Sequence, residues 1–171
     1  MIVVADTSPL NYLVLLGHIE ILAKIYAEIV VPQTVLDELQ DSDAPSEVRS
    51  WFSAPPAWLQ VSTLIFRQDP LMERLDRGEQ DAILLAESVK AERLIIDDLE
   101  GRREAVHRGL PVIGTLGLLA EAARRICWTY RRHSSIYKQP TFTFPPGLSR
   151  FCLQTMLKDG EPVSPARAAP G

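Results

Sequence analysis

The chain is poor in the residues that most catalytic and membrane classes require. Of 171 residues only Cys127 and Cys152 are cysteine. Two thiols so far apart make no CxxC pair and no four-ligand zinc set, so two reduced cysteines in a cytoplasmic protein are expected. Histidine is equally sparse: His18, His107 and His133 form no spaced pair. HExxH, GxSxG and the GxxxxGK[ST] phosphate loop are all absent, which removes the common zinc-hydrolase, serine-hydrolase and P-loop chemistries. No stretch approaches the roughly 18 apolar residues of a membrane span. The N-terminus runs Ile2 to Ala5 and then meets Asp6, with no basic leader, so neither a signal peptide nor membrane attachment is expected. Positive charge is also short. There are 18 Lys+Arg against 22 Asp+Glu, a net charge of −4, which argues against a generic basic nucleic-acid binder.

What is present is enough for a folded domain. Hydrophobic residues make up 46% and charged residues 23%, which excludes wholesale disorder. The charge is uneven. Residues 1–120 carry 10 Lys+Arg against 19 Asp+Glu, whereas residues 121–171 carry 8 against 3.

Short β-branched runs alternate with helical patterns over the first 125 residues. Ile2–Ala5, Ile29–Val31 and Leu94–Ile96 are continuous apolar runs, as strands buried on both faces require. Leu110–Ile113 reads as a further strand and Trp58–Ser62 as an edge strand. Helices are expected after each. Ser8 and Pro9 suit an N-cap and a first helical position. Further helices span 19–26, 32–40 and 44–52. Ala82, Leu85, Ala86 and Val89 mark one that begins near Gly78. Others run through Arg103 to Gly109 and from Gly114-Thr115 through Leu118 and Ala122. The expectation is an α/β fold with a mostly parallel sheet. Residues 1–125 are read as the domain and 126–160 as an extension with a helix at 148–158. Residues 161–171 are read as a flexible tail.

The carboxylates fall at telling places. In parallel sheets ligands sit beyond the carboxyl ends of the strands. Asp6 follows the first strand directly; Asp97 and Asp98 follow Leu94–Ile96. Asp81 and Glu79 lie in the first turn of the helix near Gly78, and Glu38 lies on the helix after the second strand. Each has an ordinary role when taken singly: a cap, a macrodipole partner or a solvated face. Together they would crowd like charges, which is unfavourable unless a cation neutralises them. Oxygen-only ligands select Mg²⁺ or Mn²⁺. Such sites favour phosphoryl chemistry with an activated water and no side-chain nucleophile.

These residues resemble a known family. Val4-Ala5-Asp6-Thr7-Ser8-Pro9-Leu10, Val31 through Leu39, Gly78-Glu79-Gln80-Asp81-Ala82-Ile83 and Ile95-Ile96-Asp97-Asp98 occur in order, with Arg102 and Gly114-Thr115 behind them. The series resembles PIN domains, and more narrowly the compact prokaryotic proteins similar to VapC-type toxins. The resemblance covers residues 1 to about 125. It implies a three-layer α/β/α fold and a ribonuclease dependent on Mg²⁺ or Mn²⁺. Asp6, Glu38, Asp81 and one or both of Asp97 and Asp98 would be its catalytic acids. Of these, Asp6, Asp81, Asp97 and Asp98 would be metal ligands. Ser8 and Thr115 would support the acids and Arg102 would meet the substrate. It also implies RNA as substrate, a small antitoxin protein as partner and a possible homodimer.

The family pattern fades past Arg125, and Trp128–Tyr137 reads as unlike the regular helix expected there. Tyr130, Arg131, Arg132, His133, Tyr137, Lys138, Phe142, Phe144 and Arg150 interleave rings with cations, as single-strand platforms do. Ordinary packing of the rings is the favoured reading. Three rival functions stay open. One is a non-catalytic PIN-fold module acting through a protein partner. The others are a phosphoacceptor receiver domain, weakened by the absence of acids before Asp6 and of a late Lys-Pro, and a dehalogenase-like phosphatase, weakened because Asp6-Thr7-Ser8 is not a DxDxT pattern.

Overall fold

The computed structural model describes residues 2–67 and 69–134, with side chains up to residue 125. Met1–Leu119 forms one compact unit and a second begins at Ala120. The elements are β1 (Ile2–Ala5), α1 (Thr7–Leu15), α2 (Ile21–Ile25), β2 (Glu28–Pro32), α3 (Gln33–Gln40), α4 (Ser46–Phe52) and β3 (Leu59–Ser62). A 3-10 turn at Pro70–Met72 follows, then α5 (Arg77–Ser88), β4 (Arg93–Ile95), α6 (Leu99–His107), β5 (Val112–Ile113) and α7 (Thr115–Ser134).

The five strands form one sheet in the order β3-β2-β1-β4-β5, and every pairing is parallel. The architecture is the three-layer α/β/α arrangement, with helices on both faces of the parallel sheet. Val3, Val4 and Ala5 of β1 are fully buried, because the central strand is covered on both faces. Val4 packs with Ile83, Leu85 and Ala86 of α5, Leu94 of β4 and Ala105 of α6. Each fully buried aliphatic side chain contributes about 1.5–3 kcal/mol.

The strand order places the site. From β1 the chain builds outward through β2 and β3, then crosses to the other side of β1 for β4 and β5. The order therefore reverses between β1 and β4. Right-handed crossovers put the helices that follow these two strands on opposite faces, and at such a reversal open parallel sheets form their ligand crevice beyond the carboxyl ends.

Several boundaries differ from the sequence reading. Asp6, not Ser8, is the N-cap of α1, with the extended backbone that a cap needs (φ −88°, ψ 167°). Pro9 consequently sits third in the helix, still within the first turn, where its missing N–H does no harm. Asp76 rather than Gly78 marks the start of α5. The largest difference concerns Trp128–Tyr137, where α7 continues as regular helix to Ser134. No Gly or Pro lies between Leu118 and Ser134, and Ala, Leu, Glu and Arg there are good helix formers. The expected helix at 148–158, the tail at 161–171, the two cysteine side chains and the rings and cations of 128–150 lie outside the described residues.

Candidate active site

Asp6 is delivered to the crevice by the sheet itself. Its backbone N–H donates to the carbonyl of Ile95 on β4, at 2.9 Å, so the β1–β4 ladder holds its main chain. Its side chain is only 2% exposed, and Oδ1 has no hydrogen-bond partner. Burial pushes this carboxyl up to about 7; the backbone amides of Thr7 and Ser8 oppose the shift, and Asp76 and Glu38 add repulsion. A buried orphan oxygen on a potential anion is costly unless something cationic meets it.

Glu38 comes to the same place from α3. Its Oε2 accepts from Thr7 Oγ1 at 2.5 Å. Burial raises its pKa, the hydrogen bonds from Thr7 and from the Gly78 backbone pull it back, and Asp76 and Asp81 raise it again. The carboxylate lies flat against Gly78. A Cβ there would stand 2.6 Å from Oε1 and 2.8 Å from Oε2, so only glycine leaves Glu38 where it is.

The start of α5 adds more acid. Asp76 Oδ1 accepts from the Glu79 N–H at 2.8 Å, and Glu79 Oε2 accepts from the Asp76 N–H at 3.3 Å. This is a capping box, and it holds Glu79 buried. Burial, followed by repulsion from Asp76, Asp98 and Asp6, pushes Glu79 up to about 7. Asp76 and Glu79 were not among the site candidates read from sequence, where Glu79 had only a macrodipole role. The D-x-x-E spacing was a readable signal for the box, though not for its position in the acidic cluster. Asp81, also buried, lies 3.7 Å from Arg77 Nε one turn back.

The Asp97-Asp98 pair divides. Asp97 Oδ1 accepts from the Thr115 N–H at 2.8 Å and Oδ2 from Thr115 Oγ1 at 2.5 Å. Asp98 caps α6, its Oδ1 accepting from the N–H groups of Glu100 (2.7 Å) and Gly101 (2.8 Å), while its charge still reaches Glu79. Gly114 makes room for the first arrangement. A Cβ there would stand 2.7 Å from Asp97 Oδ1 and 3.4 Å from Arg102 Nη1. Asp97 and the Arg102 guanidinium therefore share the rim beside Gly114. Ser8 meets Asp6 through its backbone amide.

Asp6, Glu38, Asp76 and Glu79 thus gather between the end of β1 and the start of α5, and Asp97 lies beyond the adjacent strand β4. Among the described residues, no three acidic, histidine or cysteine side chains converge closely enough to hold one metal ion as they stand. The donors nonetheless fit a hard divalent cation. All are carboxylate oxygens, and Asp6 Oδ1 is buried without a partner. Mg²⁺ is usually held by one or two carboxylates, with water and substrate phosphate completing its shell. No described helix is long and apolar enough to cross a membrane.

A family model described as a PIN domain matches residues 2–129. The fold is similar to that of a PilT N-terminus domain protein from the hyperthermophilic archaeon Sulfolobus solfataricus P2. That likeness has a TM-score of 0.52 at 21% sequence identity and covers 71% of this chain and 93% of that one. No curated protein matches the chain significantly.

Proposed function

The chain belongs to the PIN-domain family, a superfamily of nucleases, and we propose that it hydrolyses RNA phosphodiesters with Mg²⁺ or Mn²⁺. The observation that carries this reading is the buried Asp6 carboxylate, with one oxygen unpartnered, at the point where the strand order reverses.

In this reading Asp6, Asp97 and Asp81 would hold the cation, Asp81 giving up its contact with Arg77. Asp98 contributes through α6, which it caps, rather than as a ligand. A cation bound there would lower the pKa of its water toward neutrality and stabilise charge on the leaving oxygen. Thr115 fixes the orientation of Asp97. Thr7 and Gly78 fix that of Glu38, which would order the attacking water. Arg102, on the rim, meets the substrate phosphate. The surplus of acid over residues 1–120 also supports a small basic antitoxin protein as the partner that covers the pocket, with this chain as the toxin.

One observation favours a second reading, a non-catalytic binding module. Asp81 is engaged by Arg77, and among the described residues the acids do not close into a three-ligand set. Cleavage of a labelled single-stranded RNA by the purified chain decides between them. Cleavage that requires Mn²⁺ or Mg²⁺, stops with EDTA and is lost in Asp6→Asn supports the nuclease. RNA or protein binding without cleavage at any cation concentration supports the module.

A further inference from the structure

An apolar groove shares Asp97 with the candidate site. Tyr12 and Leu15 of α1 and Leu16 just after it line the groove with Leu116 and Leu119 of α7, together with Asp97 and Thr115. The groove encloses about 410 Å³, within the range of small-ligand sites. Its walls stand open to solvent: Tyr12 is 51% exposed and Leu116 83%. Contiguous exposed apolar side chains are a feature of interaction surfaces.

We infer that this groove takes one unpaired nucleobase of the substrate strand, stacked on Tyr12 and flanked by Leu116. The inference rests on the nuclease reading, because it takes the phosphate to lie at Asp97. Three observations select a base as the occupant. The groove shares Asp97 with the candidate site, so its mouth lies within one nucleotide step of a phosphate held there. Arg102, beside Gly114 on the same rim, supplies a cation for the backbone between the two. Among the described lining residues Asp97 and Thr115 are already bonded to each other, which leaves the Tyr12 hydroxyl beside its ring. Few donors or acceptors are left to read a base edge, while a ring face and leucine methyls are available. Stacking of this kind tolerates any base and requires it to be unpaired. The base that fills the groove must therefore be unpaired, with weak sequence preference at this position.

The test uses the full chain, a fluorescent single-stranded oligoribonucleotide and Ca²⁺ to slow cleavage, read by anisotropy. Tyr12→Ala is expected to weaken binding about tenfold or more and Tyr12→Phe to leave it within about twofold, as base–aromatic stacking predicts. Moving a single abasic site along the strand should find one position that weakens wild-type binding and has no further effect in Tyr12→Ala. The matching duplex should bind poorly to both. Unchanged affinity in Tyr12→Ala, or abasic losses that persist undiminished in that variant, would overturn the inference. So would a dimer that dissociates on Leu116→Glu while RNA affinity stays constant, since the groove would then be a contact between copies. Absence of cleavage with the stacking pattern intact would sink the nuclease reading and leave the base site standing.

Discussion

Replacing Asp6 by asparagine tests the electrostatic core of the site without any substrate. Burial raises this carboxyl from 3.8 to about 7. Ionising it in the native protein is therefore harder than in the unfolded chain by about 4 kcal/mol. Between pH 3.8 and about 7 the native state holds more protons than the unfolded state, so this group's contribution to stability falls as pH rises and is fully lost above about 7. Asparagine has nearly the same shape and does not titrate. The Asp6→Asn protein should match its parent near pH 4 and exceed it near pH 8 by about 2–4 kcal/mol, allowing for the weaker bonds an amide accepts from Thr7 and Ser8. For a chain of this size that corresponds to roughly 5–15 °C in Tm. Urea and thermal unfolding in EDTA, at several pH values, give the difference directly. Excess Mg²⁺ near pH 8 should then stabilise the parent and not the variant, because only the parent keeps the buried anion that a native-state cation would meet. A variant less stable than its parent near pH 8, or a difference that does not change with pH, would mean that Asp6 is not a strained buried acid.

The remaining predictions concern how the acids are held. Gly78→Ala should displace the Glu38 carboxylate, which a Cβ would approach to 2.6 Å; cation-dependent RNA cleavage should fall sharply while the thermal midpoint moves little, since alanine is the better helix former by about 1 kcal/mol. Thr115→Val removes the hydroxyl that donates to Asp97 Oδ2; unfolding free energy should drop by about 1.5–3 kcal/mol, and the cation concentration for half-maximal activity should rise. Arg108 is bonded to Asp69, Glu104 and Glu87 at 2.6, 2.6 and 3.1 Å and ties the loop before α5 to α5 and α6. Arg108→Met should lower stability in urea by about 2 kcal/mol, toward the low end for charge-assisted bonds that water partly screens. The effect should shrink on acidification, because the bond from Arg108 holds the Asp69 carboxyl below its ordinary value and is lost when that group takes up a proton.

Much of the frame could be read from residue order. Continuous β-branched runs marked β1, β2 and β4, and Trp58–Ser62 supplied the edge strand at β3. Asp6 and Asp97 were identifiable because each stands where an apolar run, long enough for a buried strand, stops abruptly at a carboxylate. The continuation of α7 to Ser134 was missed because aromatic and basic residues obscured its period. The absence of glycine and proline over that stretch was the better guide.

Further features depend on which side chains meet across the chain. Asp97 and Asp98 are adjacent and chemically identical, so residue order offers no basis for choosing between them. Their different roles arise because Thr115, from another element, bonds the first, while the amides of α6 engage the second. Asp76 and Glu79 look like a routine helix cap in sequence; they belong to the acidic cluster because α5 packs against β1 and starts beside Asp6. Burial is likewise a property of the assembled layers, and it moves Asp6 and Glu79 to about 7. A parallel α/β frame with acids at its strand ends was thus written into the order of residues. Which acids share a crevice, and which are capped or paired, was settled by folding. Strand and helix periodicity are local properties of the chain, whereas desolvation and Coulomb repulsion depend on distances between residues far apart in sequence.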